Sequence, residues 1–125
     1  MGNARRNNEG LPRNSRLTSS KEYRRVLKAG TRIYYGPIIL VQMMNKDLHD
    51  KQSRLGISVS KRVGNAVQRN WIKRNIRETF RRNDANVVER HDLIIMVKRP
   101  VSKQESKNMR GMLKEIFLTS RKKGH

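Results

Sequence analysis

Cysteine is absent from the 125 residues, which excludes a disulfide framework and any zinc site built on thiolates. Acids are scarce: ten Asp and Glu stand against thirty Lys and Arg. They are also scattered, whereas a metal-dependent nuclease gathers carboxylates around its divalent ions. No metal site and no catalytic residue is therefore expected in the protein. Histidine is limited to His49, His91 and His125, placed in predicted loops and the tail at spacings that suit no acid–base pair. His49 and His91 are expected to be dispensable for chemistry. No apolar run approaches the roughly 20 residues needed to cross a bilayer. The opening MGNARRNNEGLPRNSR has no apolar segment of a secretory signal, and Arg6 stands where a myristoylated chain carries Ser or Thr. The expectation is a soluble, cytoplasmic protein with no membrane partner.

What the chain has in excess is positive charge, a formal +20 with a pI near 11.5. A compact domain so charged repels itself unless a polyanion neutralises it. Nucleic acid is the usual polyanion, because each phosphate contact also releases a condensed counterion. A membrane surface is the second candidate, and it calls for a basic helix with a broad apolar face. The length fits one domain with one modest core.

Residues 1–15 are polar, basic and rich in Asn, and form either a flexible basic arm or a tail without a role; a single domain is expected over 16–122. Ser19 and Glu22 have the spacing of a capping box. Tyr23, Val26 and Leu27 then share a helix face, and Gly30 stands where a helix end favours a left-handed residue. Ile33–Tyr35 and Ile38–Met44 predict strand, broken or bulged near Pro37. In Arg54–Ser60, Leu55, Ile57 and Val59 alternate with small residues, as in a half-buried strand. Gly64 and Asn65 open a helix of about 18 residues ending near Asn83. The run Leu93–Val97 is continuous and apolar, the pattern of a buried strand. Ser102 and Glu105 repeat the capping-box spacing, and Met109, Met112, Leu113, Ile116 and Phe117 follow on one helix face.

The informative segment is Lys61–Arg82, KRVGNAVQRNWIKRNIRETFRR, with eight basic residues and one acid, Glu78. At about 100° per residue, Arg69, Lys73, Arg77 and Arg81 form one row, with Asn70 and Arg74 beside it. Ile72, Ile76 and Phe80 form a neighbouring apolar row. Like charges at i, i+4 cost a helix a few tenths of a kcal/mol per pair, and a phosphate backbone along the row turns that repulsion into attraction. Arginine suits the task, because its planar fork takes phosphate oxygens bidentately. The alternative is a solvated charged face, which normally alternates in sign. A helix opened by Gly64 also offers backbone N–H groups to an anion.

The order Ser60-Lys61-Arg62-Val63-Gly64-Asn65-Ala66-Val67, then Arg69-Asn70, Lys73-Arg74 and Arg77-Glu78, resembles the signature of the bacterial ribonuclease P protein family, where it is called the RNR motif. Leu55–Ser60 resembles that family's preceding strand, Ser20–Gly30 its first helix, and Asp92–Pro100 its last strand. The resemblance spans residues 16–120. It implies an α+β fold, a single α-β-β-β-α-β-α two-layer sandwich shared with some ribosomal proteins, with a left-handed βαβ crossover. It also implies a role as the protein subunit of an endoribonuclease whose RNA subunit carries the chemistry, with Mg²⁺, and removes the 5′ leader of precursor tRNA. The implied partners are that RNA and precursor tRNA, with no cofactor on the protein alone and a monomer when free.

Carried over by position, Lys61, Arg62, Asn65, Arg69, Asn70, Lys73, Arg74 and Arg77 are expected to contact RNA. Tyr23, Leu27 and Val41 fall at positions that line a cleft for the leader. The family often carries aromatics where Leu27 and Val41 stand, so these two either face the leader or simply pack, and Tyr23 is expected to be the stacking platform, aided by Tyr34 or Tyr35. Trp71 replaces a residue that is usually basic, and either covers an apolar edge or stacks on a nucleotide. A ribosomal protein shares the charge and size but lacks the Gly64–Asn70 spacing. A helix-turn-helix DNA binder needs two short helices at a tight turn, not a helix between strands.

Overall fold

The computed structural model describes residues 11–12, 15–48, 52–82 and 87–124. The described elements run α1 (Ser20–Ala29), β1 (Thr31–Tyr35), β2 (Ile38–Met44), β3 (Arg54–Val59), a 3-10 turn (Lys61–Val63), α2 (Ala66–Arg82), β4 (His91–Val97), α3 (Lys103–Lys107) and α4 (Met109–Lys123). The strands form one sheet in the order β1-β2-β4-β3. β2 lies antiparallel to β1 and β4, while β3 and β4 are parallel neighbours joined through α2.

Register sets the faces of the sheet, because residues directly opposite each other point the same way. Leu40 pairs with Ile95, and Ile95 with Ile57; this row is buried with Ile72, Ile76 and Phe80 of α2 and Leu113, Ile116 and Phe117 of α4. Val41 pairs with Ile94 on the opposite face, in a second cluster with Leu17 and Val26. β4 is therefore covered on both faces and buried throughout, which is why it appears in the sequence as an unbroken apolar run. The body is the expected α+β sandwich of sheet against α2 and α4, with α1 laid over part of the second face.

Local details depart from the sequence expectations for steric reasons. Gly30 is extended (φ −75°, ψ 161°), not left-handed. A Cβ there would lie 2.6 Å from the Val26 carbonyl and 2.8 Å from that of Gln42, so close approach of α1 to β2 explains the glycine. The break near Pro37 is a hairpin: Tyr35 pairs with Ile38 across Gly36-Pro37, and Gly36 takes the positive φ (+57°) that such tight turns need. The last helix is divided at Asn108, whose N–H is shared between the Gln104 and Glu105 carbonyls at 3.2 Å each. That tightens one turn and separates α3 from α4. Most of the predicted arm lies outside the described residues, but Leu11 is buried in the core and its carbonyl accepts a 2.9 Å hydrogen bond from Arg16 Nε.

Ser19 caps α1 by accepting from the Glu22 N–H at 3.4 Å, but the Glu22 carboxylate turns to Arg54 at 3.1 Å. At α3 the box is complete: Ser102 and Glu105 each cap the other. Arg99 also grips the Glu105 carboxylate at 3.1 and 2.9 Å, and pulls its pKa from 4.5 down to about 2. A carboxylate depressed on folding contributes stability above its unfolded pKa, lost as pH falls through its folded one. An NMR titration of Glu105 is expected to show a midpoint near 2, returning toward 4.5 in Arg99→Ala.

Candidate nucleic-acid interface

The edge of β3 leads into the predicted contact segment. Ser60 is fixed by its N–H to the Val97 carbonyl (2.9 Å), and its hydroxyl accepts from the Arg62 N–H (3.2 Å). The turn that follows leaves Lys61 and Arg62 exposed while Val63 is buried. Asn65 then caps α2 reciprocally with Gln68: each backbone N–H donates to the other's side-chain oxygen at 2.9 Å. This is an Asn-x-x-Gln form of the capping box. The cap occupies two of the N–H groups that Gly64 was expected to offer to an anion, so Asn65 acts first by setting the start of the helix.

Along α2, Ile72, Asn75, Ile76, Thr79 and Phe80 are buried. The exposed arc runs from the shoulder of the basic row across Asn70 and Arg74 to Val67 and Trp71. Arg69 Nε donates to the Gly64 carbonyl at 3.1 Å, holding its guanidinium at the helix entrance. Lys73 is half-buried, and its pKa is lowered first by desolvation, then by Arg69 and Arg77. The effect of the two arginines is the mutual repulsion that the i, i+4 spacing of the row implies. Arg74 and Asn70 are exposed, and Arg77 is half-buried. Glu78 points away from the row: it meets Arg110 of α4 at 3.4 Å, and Arg110 also donates to Asn75 at 3.3 Å.

The second face of the sheet assembles the other predicted group. Tyr23 lies over Gly56, where a Cβ would be 2.7 Å from its ring. Burial raises its phenol pKa, and a hydrogen bond from Ser58 opposes this. Leu27 is half-buried beside it, while Val41 is fully buried. Val41 therefore packs under α1 and presents no surface to a ligand. The open strip beside α1 is made by the next row of the register, Tyr34–Ile39–Met96–Ser58, of which Tyr34 is 66% exposed. Sequence reasoning offered Tyr34 or Tyr35 as an aid to stacking but not the row as a whole, since only strand pairing brings it together. The exposed Lys21, Arg24, Arg25 and Lys28 make the outer side of α1 basic.

His91 is not in a loop but begins β4, buried, with its N–H donating to Ser53 Oγ at 3.1 Å and Nδ1 2.7 Å from the Glu89 carbonyl. His49 and His125 lie outside the described residues. His91→Ala is expected to lower stability by about 0.5–1.5 kcal/mol, the net worth of the hydrogen bond lost between its ring and the Glu89 carbonyl. RNA-dependent cleavage at saturating protein should be unaffected, and a chemical denaturation curve beside a single-turnover assay checks both.

A family model described as Ribonuclease P matches residues 11–121. Curated relatives include the ribonuclease P protein component of Clostridium novyi, 31% identical over 107 residues, covering 86% of this chain and 94% of that protein. The Staphylococcus epidermidis protein of the same description is 33% identical, covering 82% and 86%. Among solved structures, the Staphylococcus aureus RNase P protein superposes with a TM-score of 0.68 at 31% identity over 84% of this chain and 93% of that one. The Thermotoga maritima RNase P protein gives 0.68 at 25% identity, over 83% and 96%.

Proposed function

This chain belongs to the bacterial ribonuclease P protein family, and we propose that it serves that enzyme with two separate surfaces, α2 anchoring the RNA subunit and the strip beside α1 holding the leader of precursor tRNA. The protein is the accessory component of an endoribonuclease that acts with an RNA subunit in tRNA 5′ maturation. The observation that carries the anchoring reading is the single-signed face of α2: Lys61, Arg62, Arg69, Asn70, Lys73, Arg74 and Arg77 lie on one continuous surface from the 3-10 turn to the middle of the helix, and Glu78, the acid of that helix, is turned to α4.

Leader binding rests on Tyr23, Leu27, Tyr34 and Ile39, an apolar and aromatic strip beside the cations of α1. Unpaired nucleotides are recognised by aromatic stacking within a positive groove. Val41 contributes as the floor beneath Leu27. Tyr34→Ala is expected to weaken the holoenzyme's binding of leader-bearing precursor about 5- to 150-fold, the range for one lost base stack. Binding of tRNA without a leader should not change. Equal effects on both would refute a leader site here.

Mg²⁺ is assigned to the RNA in this reading. Among the described residues no three His, Cys, Asp or Glu gather to hold an ion, and the buried Asp92 is taken by Arg54 and Asn45. The free protein acts as a monomer, its net charge opposing self-association. The β3 edge is partly covered where Leu17 N–H donates to the Leu55 carbonyl. No helix among the described residues is long and apolar enough to cross a membrane.

A further inference from the structure

On α2, Trp71 lies outside the basic row, on the far shoulder of the exposed arc. It is 37% exposed and its neighbour one turn back, Val67, is 77% exposed. Together they make a small contiguous apolar patch on an otherwise charged arc. The two open onto a pocket of about 220 Å³ between α2 and the start of α3, lined also by Val63, Gln68, Val101 and Ser106, with Ile72 beneath. That volume lies below the roughly 300–1,000 Å³ of dedicated small-molecule sites, and suits one planar heterocycle. Nearby side chains are cationic: Arg62 precedes Val63, Arg74 stands one turn beyond Trp71, and Lys103 one turn before Ser106; all three are exposed. The nearest acid on α3, Glu105, is held by Arg99. The pocket is thus mainly apolar with cations beside it, which fits a base carried on a phosphate chain better than an apolar peptide.

We propose that the pocket beside Trp71 receives one unpaired nucleobase of the RNA subunit, stacked on the indole. This rests on the anchoring role of α2, since a strand following the row reaches Trp71 by crossing Asn70 and Arg74. The row supplies charge without base geometry; Trp71 adds a contact that only an unstacked nucleotide can make, and so fixes the register of the helix on its RNA.

Trp71 is the chain's single tryptophan, so its fluorescence reports this site alone. The full-length protein is titrated with a bacterial ribonuclease P RNA transcript while indole emission and its quenching by acrylamide are followed. Saturable loss of emission and protection from acrylamide are expected. Trp71→Leu should weaken binding about 5- to 150-fold, and Trp71→Phe should recover most of the loss, with thermal melts matched to the parent chain. If the RNA binds tightly while emission and acrylamide access stay unchanged, or if Trp71→Leu binds as well as the parent, the base site is overturned and the anchoring role stands. If the parent chain does not bind the RNA at all, the anchoring role fails and this site with it.

Discussion

Lys73→Ala combined with Arg74→Ala is expected to weaken binding of the RNA subunit by about 100-fold without unfolding the protein. That is about 1.4 kcal/mol per residue, near the lower end for hydrogen bonds to charged groups. The log–log salt slope should become shallower by about 1.4 to 1.8, because each neutralised phosphate contributes about 0.7 to 0.9. The fold should persist because Arg74 is exposed, and because Lys73 sits in a field set against its own charge, desolvated and between Arg69 and Arg77. Relief of that repulsion offsets part of the packing lost with the half-buried lysine stem. Filter binding at several salt concentrations, beside circular dichroism, separates the outcomes. Intact affinity denies the row its role, and a melted spectrum makes these residues structural.

Asp92→Ala should produce the largest loss of stability by a single polar substitution, about 3–5 kcal/mol, the usual consequence of removing one partner of a buried ion pair. Arg54 reaches Asp92 with two nitrogens at 2.7 and 2.9 Å, and Asn45 donates to the same carboxylate at 3.0 Å. Arg54 also meets Glu22 of α1 at 3.1 Å. The Asp92 hydrogen bonds raise the Arg54 pKa further above its ordinary value, and when the carboxylate is lost that ordinary value alone keeps the guanidinium charged. Alanine leaves the Asn45 amide without its acceptor and Arg54 with Glu22 alone, and so loosens the tether between α1 and the sheet. Urea denaturation measures the effect, and a change below about 1 kcal/mol would show that water replaces the pair. Asp92→Asn, which keeps the shape, should cost less.

Periodicity carried the helices and β4 because their contacts repeat along the chain: Ile72, Ile76 and Phe80, and Met109 through Phe117, return every turn, and all are buried. The basic row was legible for the same reason. Strand order was not, because β2 pairs with β4 across some fifty residues and nothing local encodes that. The fate of Val41 follows from it: the residue belongs to the face under α1, and only the approach of that helix, marked by Gly30, buries it. The Arg54–Asp92 pair spans 38 residues and its members look in sequence like ordinary surface charges. By contrast the Asn65–Gln68 cap lies within four residues, and the three-residue spacing could have revealed it.

The most direct test is reconstitution. The protein is mixed with a bacterial ribonuclease P RNA and a 5′-end-labelled precursor tRNA at low Mg²⁺, beside each component alone. Release of the intact leader by the mixture, and by neither component separately, is the expected result. A protein that binds structured RNA yet gives the ribonuclease P RNA no gain in cleavage would contradict the account and favour a ribosomal-type role.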